Sequence, residues 1–337
     1  MADPMVRSEE VSFPAGGRDI PGTLCLPPAP TGPAAAVLFM AGSGPTDRDW
    51  NSPLIPGKNG SARQLAETLA AEGLVVLRFD KAFSGKNGGP PLAELTLDTY
   101  LAEGQAALAF LRSRPEVDPN RIFLAGSSEG GIHVTRLAAA EGSAVRGVMF
   151  LAGPGRAVKD ILVTQLENSF RHNAGLPPGE VEANMKPIRE GLAEFVAGKE
   201  VDPKSLSPLP QMQGLFNAMM AKPVAALGRA LVSFEPAVEA AKLTVPVLVL
   251  QGGKDIQVDP ALDAGPLVAA LTGAGRDVTY HLSPDANHVF KHEPLSVAEL
   301  RADLVAVQNG YGAEGRVLDP DAVATVVNWI RARAPGA

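Results

Sequence analysis

Apolar residues recur along this chain in two rhythms, short unbroken runs and longer helical spacings, and the two alternate. Two short runs open it, Glu10–Phe13 and Ile20–Leu26, joined by Pro14-Ala15-Gly16-Gly17, turn residues that predict a β-hairpin. A Pro-rich stretch, Pro27–Ala36, reads as an exposed connection into the next strand. Ala36–Met40 is a buried-type strand, Ser61–Glu72 a helix with Ser61 as N-cap and Gln64 completing a capping box, and Leu74–Phe79 another strand. Thr96–Arg112 carries Leu97, Leu101, Ala107, Leu108 and Leu111 at helical spacing and stops before Pro115. The alternation continues through strand Arg121–Ala125, helix Glu129–Ala140 and strand Gly147–Ala152. It resumes with strand Val245–Gln251, helix Ala261–Leu271, strand Val278–Leu282 and helix Pro320–Ala332. Unbroken apolar strands are buried on both faces. Strands alternating with helices mean βαβ units, so the fold class is α/β with a mostly parallel central sheet flanked by helices.

Residues 156–240 break this rhythm. They hold helical spacings without a strand and carry Pro177, Pro178, Pro187, Pro203, Pro208, Pro210, Pro223 and Pro236. The expected organisation is a core domain, 1–155 and 241–337, with a helical cap or lid, 156–240, inserted between two sheet strands. Ligands of open parallel sheets bind at the carboxyl edge, so an insertion there covers the site.

Composition narrows the function classes. Hydrophobic residues at 45% and charged residues at 20% are ordinary for a globular chain and exclude disorder, collagen and coiled coil as descriptions of the whole. A formal net charge of −7 with no Lys/Arg run argues against a nucleic-acid partner. The single cysteine, Cys25, can form neither an internal disulfide nor a cysteine metal site, which fits the cytosol. No apolar run approaches the roughly 18 residues of a membrane span, and MADPMVRSEE has no apolar signal region. A cytoplasmic protein is expected. Oligomeric state stays open, with the lid or an edge strand as the surface a homodimer would bury.

Gly126-Ser127-Ser128-Glu129-Gly130 matches G-x-S-x-G, directly after a predicted strand and before a predicted helix. That context perches Ser128 on a tight strand-to-helix turn with its hydroxyl above the sheet, as a nucleophile requires. Partners for such a serine follow in the order acid, then histidine, on loops after later strands. Asp255 sits just past Val245–Gln251 and His288 just past Val278–Leu282, so Ser128, Asp255 and His288 form the candidate triad. Asp259 and His292 are the rivals for acid and base. His281 falls inside a strand, His133 on the helix after the nucleophile and His172 in the insertion, where packing or surface roles are expected. His288 and His292 lack the Glu of a metal-binding H-E-x-x-H. An oxyanion hole is expected from the backbone N–H groups of Glu129 and Ser43, the latter in the glycine-bearing loop Gly42-Ser43-Gly44 after the third strand. Asp47, Arg48 and Asp49 read as an ion-paired brace for that loop. Neither Gly42-Ser43-Gly44 nor any other segment completes a dinucleotide or phosphate-loop motif.

With these residues in view the chain resembles the α/β-hydrolase superfamily. Gly42-Ser43-Gly44-Pro45 followed by Asp47-Arg48-Asp49 is similar to a segment of bacterial serine esterases related to dienelactone hydrolases. Phe79-Asp80-Lys81 with Gly85-Lys86 is similar to their strand-end Asp-Lys-Arg-Gly motif. The chain departs from them with Ala41 in place of His and with Ala82-Phe83-Ser84 in the later motif. The resemblance implies carboxylester hydrolysis through an acyl-enzyme, without metal or organic cofactor, on a small-molecule ester substrate. Thioesters, lactones, acyl transfer and peptides remain open, since they use the same three residues; a non-catalytic binding module is the further alternative. Met185, Phe195, Met212, Leu215, Phe216, Met219 and Met220 in the insertion either line an apolar acyl pocket or pack the lid on itself.

Overall fold

The computed structural model describes residues 6–29, 32–207 and 210–334. Its frame is an eight-stranded sheet built from β1 (Arg7–Ala15), β2 (Arg18–Leu26), β3 (Ala34–Met40), β4 (Val75–Phe79), β5 (Val117–Ser127), β6 (Gly147–Leu151), β7 (Val247–Gly252) and β8 (Val278–Ser283). The strand order is β1-β2-β4-β3-β5-β6-β7-β8. β1 pairs antiparallel with β2, and β2 antiparallel with β4, while β4, β3, β5, β6, β7 and β8 run parallel. The hairpin is longer than the apolar runs suggest, and its turn contracts to Gly16 and Gly17, both at positive φ.

The strands are apolar throughout because each side of the sheet has its own cover. On β3, Ala36, Leu38 and Met40 point one way and Ala35, Val37 and Phe39 the other, the period of two that a pleated strand imposes. The first side packs on α2 (Leu97–Ser113), α3 (Gly130–Glu141) and α10 (Gly265–Gly273) through Leu108, Leu111, Val134, Leu137, Leu267 and Leu271. The second packs on α1 (Ser61–Ala71) and α13 (Pro320–Arg333) through Leu65, Leu69, Val326, Trp329 and Ile330. Thr96, the predicted first residue, caps α2 as part of a capping box, so the helix proper begins one residue inside the predicted start. α1 differs from expectation. Its N-cap is Gly60 in the left-handed region, and the Ser61 hydroxyl instead donates to Val289 O at 2.7 Å, tying the helix start to the loop after β8.

Between β6 and β7 the chain forms α4 (Val158–Asn168), α5 (Pro178–Val196), α6 (Pro203–Leu206), α7 (Pro210–Met220), α8 (Ala225–Val232) and α9 (Pro236–Ala240), with no strand among the described residues. α4 to α8 share a hydrophobic cluster of their own around Phe170, Met185, Ile188, Phe195 and Phe216, whereas Ala240 of α9 packs in the sheet's core. Two short helices, α11 (Val297–Ala302) and α12 (Leu304–Tyr311), follow β8.

Candidate active site

Every non-glycine residue at positive φ among the described residues lies on a loop leaving the carboxyl end of a parallel strand. They are Trp50 after β3, Phe83 after β4, Ser128 after β5, Ala152 after β6 and Phe290 after β8. Backbone strain of this kind costs of order 1–3 kcal/mol per residue and persists only where the surroundings enforce it. At Ser128, φ 53, the enforcement is visible. The Ser128 N–H donates to Leu151 O at 2.9 Å, so the turn is pinned to β6. A Cβ on Gly126 would meet Gly130 O at 2.2 Å, and one on Gly130 would meet Met40 O at 2.4 Å. Both glycines are therefore obligatory for the chain to reverse from β5 into α3 at this radius. Glu129 is the N-cap of α3, at the positive end of the helix dipole.

Asp255 lies three residues past β7 and His288 five past β8. The two loops are stitched together by Gly253 N–H to Ser283 O at 2.7 Å and Lys254 N–H to Ala286 O at 2.9 Å. His288 Nδ1 is 2.8 Å from Asp255 Oδ2. Asp255 is 2% exposed and takes three further donors: Gln251 Nε2 on Oδ2 at 2.9 Å, and the N–H groups of Gln257 and Val258 on Oδ1 at 2.8 and 3.0 Å. A carboxylate only accepts, so Nδ1 of His288 is the donor and Nε2 keeps its lone pair for a second partner.

The loop after β3 approaches from the other side: a Cβ on Gly42 would stand 3.4 Å from Ser128 Cβ. Its shape is held by charge. Arg48 is buried, its Nη2 2.8 Å from Asp80 Oδ2 and its N–H 2.8 Å from Asp80 Oδ1, and Asp49 pairs with Arg78. Asp47 braces the loop differently, accepting the N–H groups of Asp49 and Asn51 at 2.8 and 2.9 Å. Thr46 Oγ1 donates to Ser43 O at 2.6 Å, and the buried Lys81 ammonium donates to Gly44 O.

Lys81 belongs to a charged cluster that includes Glu129, the residue after Ser128. Its Nζ lies 5.3 Å from the Tyr100 ring, Tyr100 packs on the His133 ring at 4.7 Å, and His133 Nε2 is 3.4 Å from Glu129 Oε1. Burial lowers the Lys81 pKa against the pull of Glu129 and Glu103. Burial alone would raise that of Glu129, but its bond to His133 and the charges of His133 and Lys81 outweigh this and hold it below the ordinary carboxylate range. The Tyr100 hydroxyl is pushed up by burial and by the same two carboxylates. Sequence reasoning singled out Lys81 only as part of a motif and missed its contact with the glycine loop. It also missed Gln251, whose one visible signal is a polar residue near the end of an otherwise apolar strand.

The rival residues are engaged elsewhere. His292 Nδ1 is 3.2 Å from Asp319 and His281 Nε2 2.7 Å from Asp321. Asp259 accepts from the N–H groups of Ala261 and Leu262 at the start of a helical turn. His288 and His292 face different carboxylates and do not converge. His172 is exposed in the helical segment between β6 and β7.

Ser43, Ser128 and Glu129 share the wall of a cavity of about 240 Å³ whose remaining lining is mostly aliphatic, with Ile132, Val158, Ile161, Leu215, Met219 and Val258 among it. Of the Met and Phe residues flagged in the sequence, Met185, Phe195, Phe216 and Met220 pack the helical segment on itself, and Met219 both packs against that cluster and lines this cavity. A larger surface groove, about 820 Å³ between α1 and α13, shares no residue with it.

Three kinds of likeness bear on this geometry. Residues 58–295 match the hydrolase family described as serine aminopeptidase, S33. The esterase EstD of Thermotoga maritima is 28% identical over 243 residues, which are 71% of this chain and 50% of that protein. The chain thus spans about half the length of that relative. Among solved structures, the esterase Pf2001 of Pyrococcus furiosus superposes with a TM-score of 0.56 at 15% identity, covering 98% of this chain and 92% of that one. A dienelactone hydrolase-like promiscuous phosphotriesterase, P91, from metagenomic libraries superposes with a TM-score of 0.53 at 15% identity, covering 98% and 99%. At these identities the superpositions speak for the fold alone, and the family match spans the Ser128 turn and the loops bearing Asp255 and His288 together. The chain therefore belongs to the serine aminopeptidase, S33, family of hydrolases and carries the α/β-hydrolase fold.

Proposed function

We propose that this protein hydrolyses carboxylic esters through an acyl-enzyme on Ser128. His288 Nε2 takes the Ser128 hydroxyl proton while Asp255, on Nδ1, fixes the ring and offsets its positive charge. Ser128 Oγ attacks the ester carbonyl carbon, and the carbonyl oxygen becomes an oxyanion held by the N–H groups of Glu129 and Ser43. The tetrahedral adduct collapses as His288 returns the proton to the departing alcohol. Water, deprotonated by His288, then attacks the acyl-enzyme; its oxygen ends in the carboxylic acid and the proton returns to Ser128.

The observation that carries this reading is the His288–Asp255 contact at 2.8 Å, on loops leaving the same sheet edge as the strained Ser128 elbow. An esterase among the relatives supports the ester in particular. The aliphatic cavity beside Ser128 favours an apolar acyl group. Residues 156–240 act as its lid, since Val158, Ile161, Leu215 and Met219 come from α4 and α7.

The test is labelling with a fluorophosphonate probe on wild type and Ser128→Ala, with mass spectrometry locating the adduct. A single adduct on Ser128, absent from the variant, is expected, followed by turnover of p-nitrophenyl esters. Folded wild-type protein that takes no label, or takes it elsewhere, overturns the proposal. A panel of esters, thioesters, lactones and amides then ranks the acyl substrates.

A further inference from the structure

A second cavity, about 270 Å³, abuts the one at Ser128. Leu162, Gln165 and Leu215 line both, so they form the partition between them. The acid loop completes it: Val258 faces the first cavity, Ile256 and Gln257 the second. The far wall of the second cavity comes from α12, with Val307, Gln308 and Tyr311. Across the partition runs one neutral hydrogen bond, Gln165 Nε2 to Gln257 O at 2.9 Å. Gln257 is fixed from behind by its Nε2 donating to Tyr311 Oη at 2.9 Å and by its N–H on Asp255. A primary amide between Leu162, Leu215 and Val258 adds little to apolar packing. Its contact instead joins α4 of the lid to the loop that carries the acid.

We propose that Gln165 closes the cavity at Ser128 off from the second one and thereby sets the acyl length this protein accepts, the second cavity taking the distal part of a long acyl chain only when that partition is opened. The inference rests on the serine-esterase reading and deepens it to a substrate class, esters of short to medium straight-chain acids. A chain entering from Ser128 meets the partition within the first cavity. Removing the amide joins the two spaces, and each further methylene buried is worth about fourfold.

The readout is the ratio of kcat/KM for p-nitrophenyl decanoate to that for p-nitrophenyl butyrate. Wild type favours butyrate. Gln165→Ala raises the ratio by about tenfold or more, since two further buried methylenes suffice, and Leu215→Ala raises it in the same direction. Adding Gln308→Trp, which fills the second cavity from the exposed face of α12, returns the ratio of Gln165→Ala to the wild-type value. A ratio unmoved by both openings, or one that Gln308→Trp leaves raised, overturns the proposal. Calorimetric binding of decanoate in a Ser128→Ala background supplies a reading free of catalysis, with tighter binding expected when Gln165→Ala is added. No turnover of either ester by wild type would count against the esterase reading, while the decanoate comparison would still decide the subsite.

Discussion

Asp255→Asn tests the site at the point where its geometry is most constrained. The four donors around Asp255 fall in two pairs, the backbone N–H groups of Gln257 and Val258 on Oδ1 and the side chains of His288 and Gln251 on Oδ2. An asparagine has one oxygen to offer. Backbone donors cannot turn away, so the amide oxygen takes the Oδ1 position and its NH₂ faces His288 and Gln251. Gln251 cannot flip freely to accept it, because its Nε2 also donates to Val258 O at 2.9 Å. The imidazole can adapt only by shifting its proton to Nε2, and that tautomer cannot accept the Ser128 proton. Where an acid is exchanged for its amide in an intact triad, kcat falls about ten-thousandfold, or about 5.4 kcal/mol of transition-state stabilisation. The stability cost is smaller, about 1–3 kcal/mol for the strained donor facing a donor. The assay is kcat on p-nitrophenyl butyrate beside a thermal melt. A folded Asp255→Asn protein within about tenfold of wild type would refute the orienting role and turn attention to the His292–Asp319 pair.

Two further predictions concern buried lysines. Lys81→Met removes the donor to Gly44 O and a counter-charge of Glu129, so the loop bearing Ser43 loosens and kcat falls by about ten- to a hundredfold with KM little changed, less than the loss of a whole oxyanion donor; partial rescue by Lys81→Arg is expected, and a loss of activity that only follows a lowered melting temperature and that Lys81→Arg does not rescue would speak for structure alone. Lys291, fully buried and donating to Gln64 Oε1 at 2.6 Å, has its pKa lowered by burial, then by Arg316 and Arg63, to about 8. Its folded pKa lies below the unfolded value, so the unfolded chain binds the extra proton between the two. Stability therefore gains from this group as pH rises from about 8 toward about 10.4, with a slope of at most about 1.4 kcal/mol per pH unit. Denaturation midpoints across that window should show a rising component in wild type that Lys291→Met lacks; parallel profiles would remove Lys291 as its source.

The hydrophobic pattern determined a great deal by itself. Runs such as Ala36–Met40 and Val247–Leu250 are apolar at every position, and only strands covered on both sides need that, so the layered α/β architecture was legible before any coordinate. The elbow was legible too, because the G-x-S-x-G spacing is local and Gly126 is required by a collision with Gly130 O only four residues on, whereas the collision that requires Gly130, with Met40 O of β3, belongs to the tertiary structure. Asp255 and His288 could be picked as candidates because both follow strand ends. What the sequence could not carry was which groups meet across chain distance. Ser61 looked like a helix cap because capping signals are local, yet its hydroxyl is claimed by Val289 O from a loop 228 residues away. Lys81 reaching Gly44, Gln251 turning onto Asp255, and Gln165 closing on Gln257 are likewise products of packing, in which a polar side chain takes the partner that burial leaves within reach. Periodicity records which face of an element is buried. The choice of partner inside that buried space belongs to the tertiary structure, because it depends on where separate loops come to rest.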